Sequence, residues 1–385
     1  MRFNMDFSFS DDQLAMKASA IKFASQELNK DLRQRERVGE FPMDAWRACA
    51  RFGVQGLPMP REFGGSEADI LTTVLTMEGL GYGCHDNGLL FALNAQMWSI
   101  ELPLLKFGTA TQRRSYLPGL VSGDLIGVHA MTEADSGSDA FSMRTRAERR
   151  GDHYILNGSK LYITLAPVAD VFIIFATIKP GTGFSGACAF LVAKGTPGLT
   201  VSRTLDKMGL RTSPMGEIVL ADCKVPAENM LGKEGTGMAI FNSSMEWERS
   251  CILASAVGAM QRQLETCVHY AQIRQQFGQT IGKFQSISNK LADMYLRLEA
   301  ARLLIYRVAW LKQQDKPALA EAAAAKIFTS EAWIKSSLDA IQIHGAFGYM
   351  TDAEIERDLR DSVAGTIYSG TSEVQRVIIA RILGL

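Results

Sequence analysis

What this 385-residue sequence lacks narrows its function before any motif is read. It has no net charge: Lys+Arg and Asp+Glu both number 41. A balanced chain projects no global field toward nucleic acid or an anionic membrane. It has little histidine, five residues, and its six cysteines (Cys49, Cys84, Cys188, Cys223, Cys251 and Cys267) lie far apart with no C-x-x-C pair. Zinc ligation needs clustered thiolates or imidazoles, so this spacing argues against a metal site. The thiols read instead as small buried hydrophobes in a reducing cytosol. It also lacks long apolar runs. Val171 to Ile178 is far too short to span a bilayer. Met1 to Asp12 carries charges where a signal peptide needs its apolar segment. A cytoplasmic protein, with neither membrane nor nucleic acid as partner, is expected.

What is present falls into three zones. Over 1–122 the apolar spacing is helical: Leu14, Ala18, Ile21 and Ala24 share one helix face, and Thr72, Val74, Leu75 and Leu80 mark another helix. Leu57-Pro58-Met59-Pro60 and Phe63-Gly64-Gly65 punctuate this zone as loops. Over 123–237 short β-branched and aromatic runs alternate with turn residues about every ten positions, which predicts a small all-β domain. Its runs include Tyr154-Ile155-Leu156, Ala189 to Val192 and Glu217 to Leu220, and Asn157-Gly158 reads as a hairpin turn. Over 238–385 the pattern is helical again. Leu291, Met294, Tyr295, Leu298, Leu303 and Ile305 recur at helical intervals, Pro317 fits a helix start, and Ala318 to Ala325 is rich in the best helix former. The fold class predicted is mainly α with a central β-domain.

The chemistry-bearing strings begin with Met131-Thr132-Glu133-Ala134-Asp135-Ser136-Gly137-Ser138-Asp139. Taken alone, this is a polar loop whose amides and hydroxyls suit a cofactor edge, or a plain turn. It also closely resembles the first signature of acyl-CoA dehydrogenases, and the order of the three zones is the order of that fold. The resemblance implies an N-terminal helical domain, a small β-barrel domain and a C-terminal four-helix bundle. It further implies FAD, with Met131, Thr132, Gly137 and Ser138 along the flavin. Asn157 to Thr164 resembles the segment that covers the isoalloxazine through Tyr162 and Thr164. Lys207-Met208-Gly209, Arg211-Thr212-Ser213, Val225-Pro226 and Leu231-Gly232 follow the family's later β-domain. Arg274 to Gly278, with Phe284-Gln285, resembles the stretch whose Arg274, Phe277 and Gln285 reach a neighbouring subunit's FAD. Gln342 to Tyr349 resembles the second signature, with Gln342, Gly345 and Ala346 toward the cofactor; Ala346 stands where a second glycine is usual. Thr371 and Glu373 complete the implied cofactor contacts. His129 and His344 lie in these motifs and read as satisfied structural residues.

The implied reaction removes a proton α to a thioester carbonyl and passes the β-hydrogen to the flavin as hydride. It needs a desolvated carboxylate and donors to the thioester oxygen. Most of the family carries that carboxylate before a Gly-Thr near the C-terminus; here Ile367-Tyr368-Ser369-Gly370-Thr371 puts neutral Ser369 there. A minority takes it from another helix, immediately before an arginine. Glu248, before Arg249, matches that alternative, with Glu246 a weaker candidate on the opposite side of the helical wheel. Glu248 and Ser369 are therefore the expected catalytic residues, Ser369 as a carbonyl-binding backbone donor. Arg249, Ser138, Glu246 and Gly370 are expected around the substrate. Ser243-Ser244-Met245, Trp247-Glu248-Arg249, Cys251 and Ile367 to Thr371 resemble more narrowly the dehydrogenases that oxidise prolyl groups on peptidyl carrier proteins. A carrier-bound prolyl, aminoacyl or acyl thioester is thus the expected substrate. A short- or branched-chain acyl-CoA is the alternative, and a flavin oxidase or monooxygenase of the same fold is a second class. A homotetramer, with an electron-transferring flavoprotein as acceptor, is implied by the same resemblance.

Overall fold

The computed structural model describes residues 8–385, so the start of the charged N-terminal stretch lies outside the described residues. Among the described residues the first zone forms seven α-helices: α1 (Asp11–Glu27), α2 (Leu32–Val38), α3 (Met43–Phe52), α4 (Ile70–Gly83), α5 (Asn87–Gln96), α6 (Leu102–Phe107) and α7 (Ala110–Val121). A capping box starts α1: the Ser10 hydroxyl accepts from the Gln13 amide while the Gln13 side chain accepts from the Ser10 amide. The predicted face of α1 is only half right, since Leu14 is exposed and Ala18 faces solvent while Ala20 and Ala24 are buried. The buried stripe is set by α4, whose Gly79 and Gly83 let the backbones of the two helices approach. A Cβ on Gly79 would lie 2.7 Å from the Lys17 carbonyl, and one on Gly83 would lie 2.5 Å from that of Ile21. Small residues therefore occupy the contact, and the larger Leu14 falls outside it.

The β-domain contains β1 (Gly127–Ala130), β2 (Arg146–Arg150), β3 (His153–Thr164), β4 (Val171–Thr177), β5 (Ala187–Ala193), β6 (Leu199–Leu205), β7 (Met215–Pro226) and β8 (Met230–Leu231). Their order is β6-β7-β3-β2-β4-β5-β8, with β1 parallel to β4. This ladder is open, with β6 and β8 at its ends rather than joined into a closed barrel. Strands β4 and β5 are buried on both faces. Phe172 and Ile174 face one apolar core, and Val171, Ile173 and Phe175 face another. That double burial explains the unbroken apolar run in β4. Asn157-Gly158 is not a hairpin turn. It lies inside β3 at a register shift against β7, and the β2–β3 turn is at Gly151-Asp152. Glycine is required there for proximity, because a Cβ on Gly158 would meet the Thr145 backbone at 2.7 Å.

The third zone comprises α8 (Gly237–Cys251), α9 (Ala254–Ile273), α10 (Gln285–Gln313), α11 (Leu319–His344), α12 (Ala346–Tyr349), α13 (Ile355–Ala364) and α14 (Ser372–Ile382). A two-residue hairpin, β9 (Gln275–Gln276) and β10 (Gln279–Thr280), separates α9 from α10. Of the apolar positions predicted on α10, Met294, Leu298 and Ile305 are buried, whereas Tyr295 and Leu303 are exposed. Helix α4 is clasped between α1 and α9, where Gly81 and Gly258 make a second close crossing. The N-terminal helices and the C-terminal bundle therefore share one core. All six cysteines are free and buried. Among the described residues no helix is long and apolar enough to cross a membrane.

Candidate active site

A cavity of about 730 Å³ lies where the three zones meet. Its walls come from the loop after β1, the end of β3, the turn between α5 and α6, α8, and the segment joining α13 to α14.

The loop Met131–Asp139 is tied back from beneath by a buried ion pair. The Lys160 ammonium donates to Glu133 at 2.8 Å and to the Met131 carbonyl at 3.0 Å. Glu133 also accepts from the backbone amides of Arg144 and Thr145. Burial works to raise the Glu133 carboxyl, but Lys160 and these donors hold it below its ordinary value. With its inner side anchored, the loop presents Met131, Thr132, Gly137 and Ser138 to the cavity. Tyr162, more than half exposed and held at φ 61°, lines the same cavity with Thr164. His129 is not the satisfied histidine that the sequence suggests: its buried Nε2 has no partner among the described residues. Burial, then the Lys160 charge, pushes its imidazole down to about 4, so it is neutral near pH 7. His344 does fit that expectation, with Nδ1 donating to the Ala340 carbonyl at 2.8 Å.

Glu248 sits in the last turn of α8, only 8% exposed, and lines the cavity. Residues Met97–Glu101 form a π-helical turn between α5 and α6. That wide turn delivers Ser99, whose hydroxyl donates to Glu248 Oε1. The Ser369 hydroxyl donates to Oε2 at 2.5 Å. Burial raises the Glu248 carboxyl above its ordinary value, and the Ser369 and Ser99 bonds oppose that rise. The carboxylate is thus desolvated but not neutralised by a contacting cation.

Segment 368–371 carries two left-handed residues, Ser369 at φ 54° and Gly370 at φ 87°. Such a conformation is costly for serine and needs support from its surroundings. Arg249 Nε and Gln375 Nε2 donate to the Ser369 carbonyl, each at 3.1 Å. Lys326 Nζ and Gln375 Nε2 donate to the Gly370 carbonyl at 2.8 and 2.9 Å. With both carbonyls captured, among the described residues the Ser369 amide has no protein acceptor and stays free to donate to a ligand. Thr371 lines the cavity while its hydroxyl caps α14, accepting from the Val374 amide. Arg249 and Gly370 also line it.

Other predicted site residues lie elsewhere. Glu246 is turned away from the cavity and ion-paired with Lys312, because two helical positions separate it from Glu248 by about 200°. Its expected substrate role is therefore dropped. Glu373 is exposed on the first turn of α14 and does not line the cavity. Arg274, Phe277, Gln285, Gln342, Gly345 and Ala346 are all exposed, and none lines it. Phe277, 93% exposed, stands at the tip of the β9–β10 hairpin, where it and Gly278 both have positive φ.

Three models of the acyl-CoA dehydrogenase family match successive stretches: the N-terminal domain over residues 10–124, the middle domain over 129–223 and the C-terminal domain over 235–384. The chain belongs to the acyl-CoA dehydrogenase family. Among its relatives in this family is the L-prolyl-[peptidyl-carrier protein] dehydrogenase of Serratia sp., 43% identical over 99% of both chains. The solved prolyl acyl carrier protein oxidase AnaB is 52% identical, with a TM-score of 0.97 over 98% of this chain and 100% of that one. A structure of PigA with FAD and proline is 43% identical, also with a TM-score of 0.97, over 99% of this chain and 100% of that one. The family fold explains why the three zones close on one cavity.

Sequence reasoning did not find Ser99, Lys326 or the ring pair Phe91–Tyr368, whose centroids are 4.7 Å apart beside the cavity. Ser99 had no visible signal, because a π-turn leaves no mark in apolar periodicity. Lys326 had one: it falls on the buried stripe of α11 with Ala322, Thr329 and Trp333, and a lone lysine on such a stripe calls for a buried acceptor.

Proposed function

We propose that this protein is an FAD-dependent dehydrogenase that oxidises a prolyl or related α-amino acyl thioester carried on a peptidyl carrier protein. The observation that carries the reading is Glu248, buried at the cavity wall with both carboxylate oxygens held by serine hydroxyls. The family membership supports FAD, and the carrier-protein relatives support the substrate.

The residues fit the cofactor on their own chemistry. The cavity offers an unpartnered buried imidazole nitrogen at His129 and an exposed aromatic face at Tyr162. At Gly137, among the described residues, no atom beyond the glycine's own chain neighbours lies within 4 Å of the place a Cβ would take. Met131, Thr132, Gly137, Ser138, Tyr162, Thr164 and Thr371 would hold FAD from within one chain. Arg274, Phe277, Gln285, Gln342, Gly345 and Ala346 would hold the FAD of a second copy. That sharing makes a homo-oligomer, a tetramer by analogy with the family, part of the proposal. When bound, FAD supplies the acceptor for the hydride.

Glu248 removes the α-proton. A carboxylate raised in proton affinity by burial is a stronger base than one in water. The Ser369 amide donates to the thioester oxygen, on which negative charge grows as the proton leaves. Arg249, Lys326 and Gln375 hold that amide in place through the Ser369 and Gly370 carbonyls. The α C–H and β C–H bonds break, a C=C bond forms, the proton rests on Glu248, and two electrons leave with the β-hydrogen. Repeating the oxidation on a prolyl ring gives the aromatic pyrrole.

The test is anaerobic flavin bleaching with prolyl-, other aminoacyl- and acyl-carrier proteins against the matching CoA esters. Rapid bleaching by prolyl-carrier protein is expected. Bleaching by butyryl-CoA alone would overturn the substrate. A second reading, with dioxygen as the electron acceptor, is favoured by the likeness to the oxidase AnaB. Stopped-flow reoxidation of the reduced enzyme in air separates the two.

A further inference from the structure

The cavity wall that Glu248 shares includes the apolar Phe91, Ala95, Ile100, Met245 and Ile252, with one hydroxyl set among these residues, apart from those of Tyr368 and Ser369 on the segment before α14. That hydroxyl belongs to Ser99, carried inward by the π-turn and bonded to Glu248 Oε1. A serine hydroxyl has one proton to give and two lone pairs to receive. Ser99 spends its proton on Glu248, and among the described residues no protein donor fills its lone pairs.

This arrangement suits a plain acyl chain poorly. An unsubstituted α C–H is a very weak acid and calls for the strongest available base. Two hydroxyl donors act the other way, stabilising the carboxylate and weakening it as a base. A hydroxyl facing a saturated chain would also lose hydration without gaining a partner. An α-ammonium group removes both objections. It acidifies the adjacent C–H inductively, so a weaker base suffices, and it brings N–H donors that need acceptors. The groups facing Glu248 leave room for such a cation. Arg249 on α8 and Lys326 on α11 donate to the Ser369 and Gly370 carbonyls rather than to the carboxylate, and Tyr368 and Ser369 are neutral. Glu373, near Lys326, lies outside the cavity.

We propose that Ser99 is the residue that selects an α-amino acyl group, donating to Glu248 while accepting from the substrate's ring ammonium. The proposal rests on Glu248 being the base, and it adds how the site distinguishes a prolyl from a carbocyclic acyl group.

The experiment compares prolyl-carrier protein with cyclopentanecarbonyl-carrier protein, which has CH₂ where proline has NH₂⁺. In Ser99→Ala, kcat/KM for the prolyl thioester falls about 10- to 100-fold, as expected for a lost hydrogen bond to a charged group. The cyclopentanecarbonyl thioester, which has no N–H to give to Ser99, is affected far less, so the selectivity ratio drops about tenfold. The acid limb of the prolyl pH profile moves to higher pH, because Glu248 has lost a donor to its ionised form. Ser99→Thr, which keeps the hydroxyl, restores the ratio. Calorimetric binding of the prolyl and cyclopentanecarbonyl amides of aminopantetheine, which do not turn over, shows the same change in preference. An unchanged ratio in Ser99→Ala, whether both rates fall or neither does, overturns the role given to Ser99. If Glu248→Gln still bleaches normally, the base assignment fails and Ser99 falls with it. If Glu248→Gln is dead and the ratio is unchanged, Ser99 alone is refuted.

Discussion

Replacing Glu248 with glutamine removes the proton acceptor and little else. The side chains are nearly isosteric, and both hydroxyls that face Glu248 can adapt. One continues to donate to the amide oxygen, and the other turns to accept from the amide nitrogen, so no buried polar atom is stranded. Arg249 and Lys326 keep their bonds to the Ser369 and Gly370 carbonyls, so the carbonyl-binding segment holds its shape. A buried amide also avoids the desolvation of a carboxylate, and the fold should change in stability by less than about 1 kcal/mol. The chemical loss is far larger. A positioned general base contributes about 10²- to 10⁴-fold, which is about 3–5 kcal/mol of barrier. Anaerobic stopped-flow absorbance with prolyl-carrier protein reads this step directly. Glu248→Gln should carry FAD at wild-type stoichiometry and bleach at least about 100-fold more slowly. Bleaching within a few-fold of wild type would refute the reasoning.

Other consequences follow from particular contacts. Burial, then Arg249, pushes the Lys326 ammonium down to about 8, so the charge that supports Gly370 is lost as pH rises through that value. The wild-type rate should decline on that alkaline side, while Lys326→Met should be about tenfold slower at pH 7 and lack that limb in its pH–rate profile. Gly258 lets α9 cross α4: a Cβ there would lie 2.0 Å from the Glu78 carbonyl. Gly258→Ala should lower stability by about 1–3 kcal/mol in urea unfolding despite its gain in helix propensity. Phe277 is 93% exposed in one chain, so Phe277→Ala should leave the unfolding midpoint of the FAD-free protein unchanged. If Phe277 covers a second copy's cofactor, FAD affinity falls several-fold by fluorescence titration; unaltered affinity would contradict that role.

Much of the fold was legible because apolar periodicity changes sharply at the zone edges, from helical to alternating and back. The errors have local causes. Hydrophobicity assigns Leu14 and Ala18 to the buried face of α1, but Gly79 and Gly83 of the partner helix meet Lys17, Ala20, Ile21 and Ala24, a close contact that leaves out the larger Leu14 and from which Ala18 is turned by one residue. Asn157-Gly158 has the chemistry of a turn, yet its glycine serves contact with Thr145 inside a strand. At the site, the strings Met131–Asp139 and Ile367–Thr371 and the Glu248-Arg249 pair converge on one cavity, as their types suggested. Glu246 does not, because helical phase turns it to Lys312. Ser99 was invisible: its position depends on a π-turn, and a single serine in the run from Asn94 to Leu102 carries no pattern of its own. Long-range pairing of this kind is set by tertiary packing and not by neighbours in sequence.

The central claim, that Glu248 takes the proton from the carbon next to the thioester, can be measured without oxidation. A 3,3-dimethylprolyl thioester on the carrier protein has an α-hydrogen but no β-hydrogen to transfer. In D₂O the wild-type protein should exchange the α-hydrogen for deuterium, read by mass spectrometry, and Glu248→Gln should exchange it no faster than buffer. Equal exchange by the two proteins would contradict the assignment and move the base to another residue.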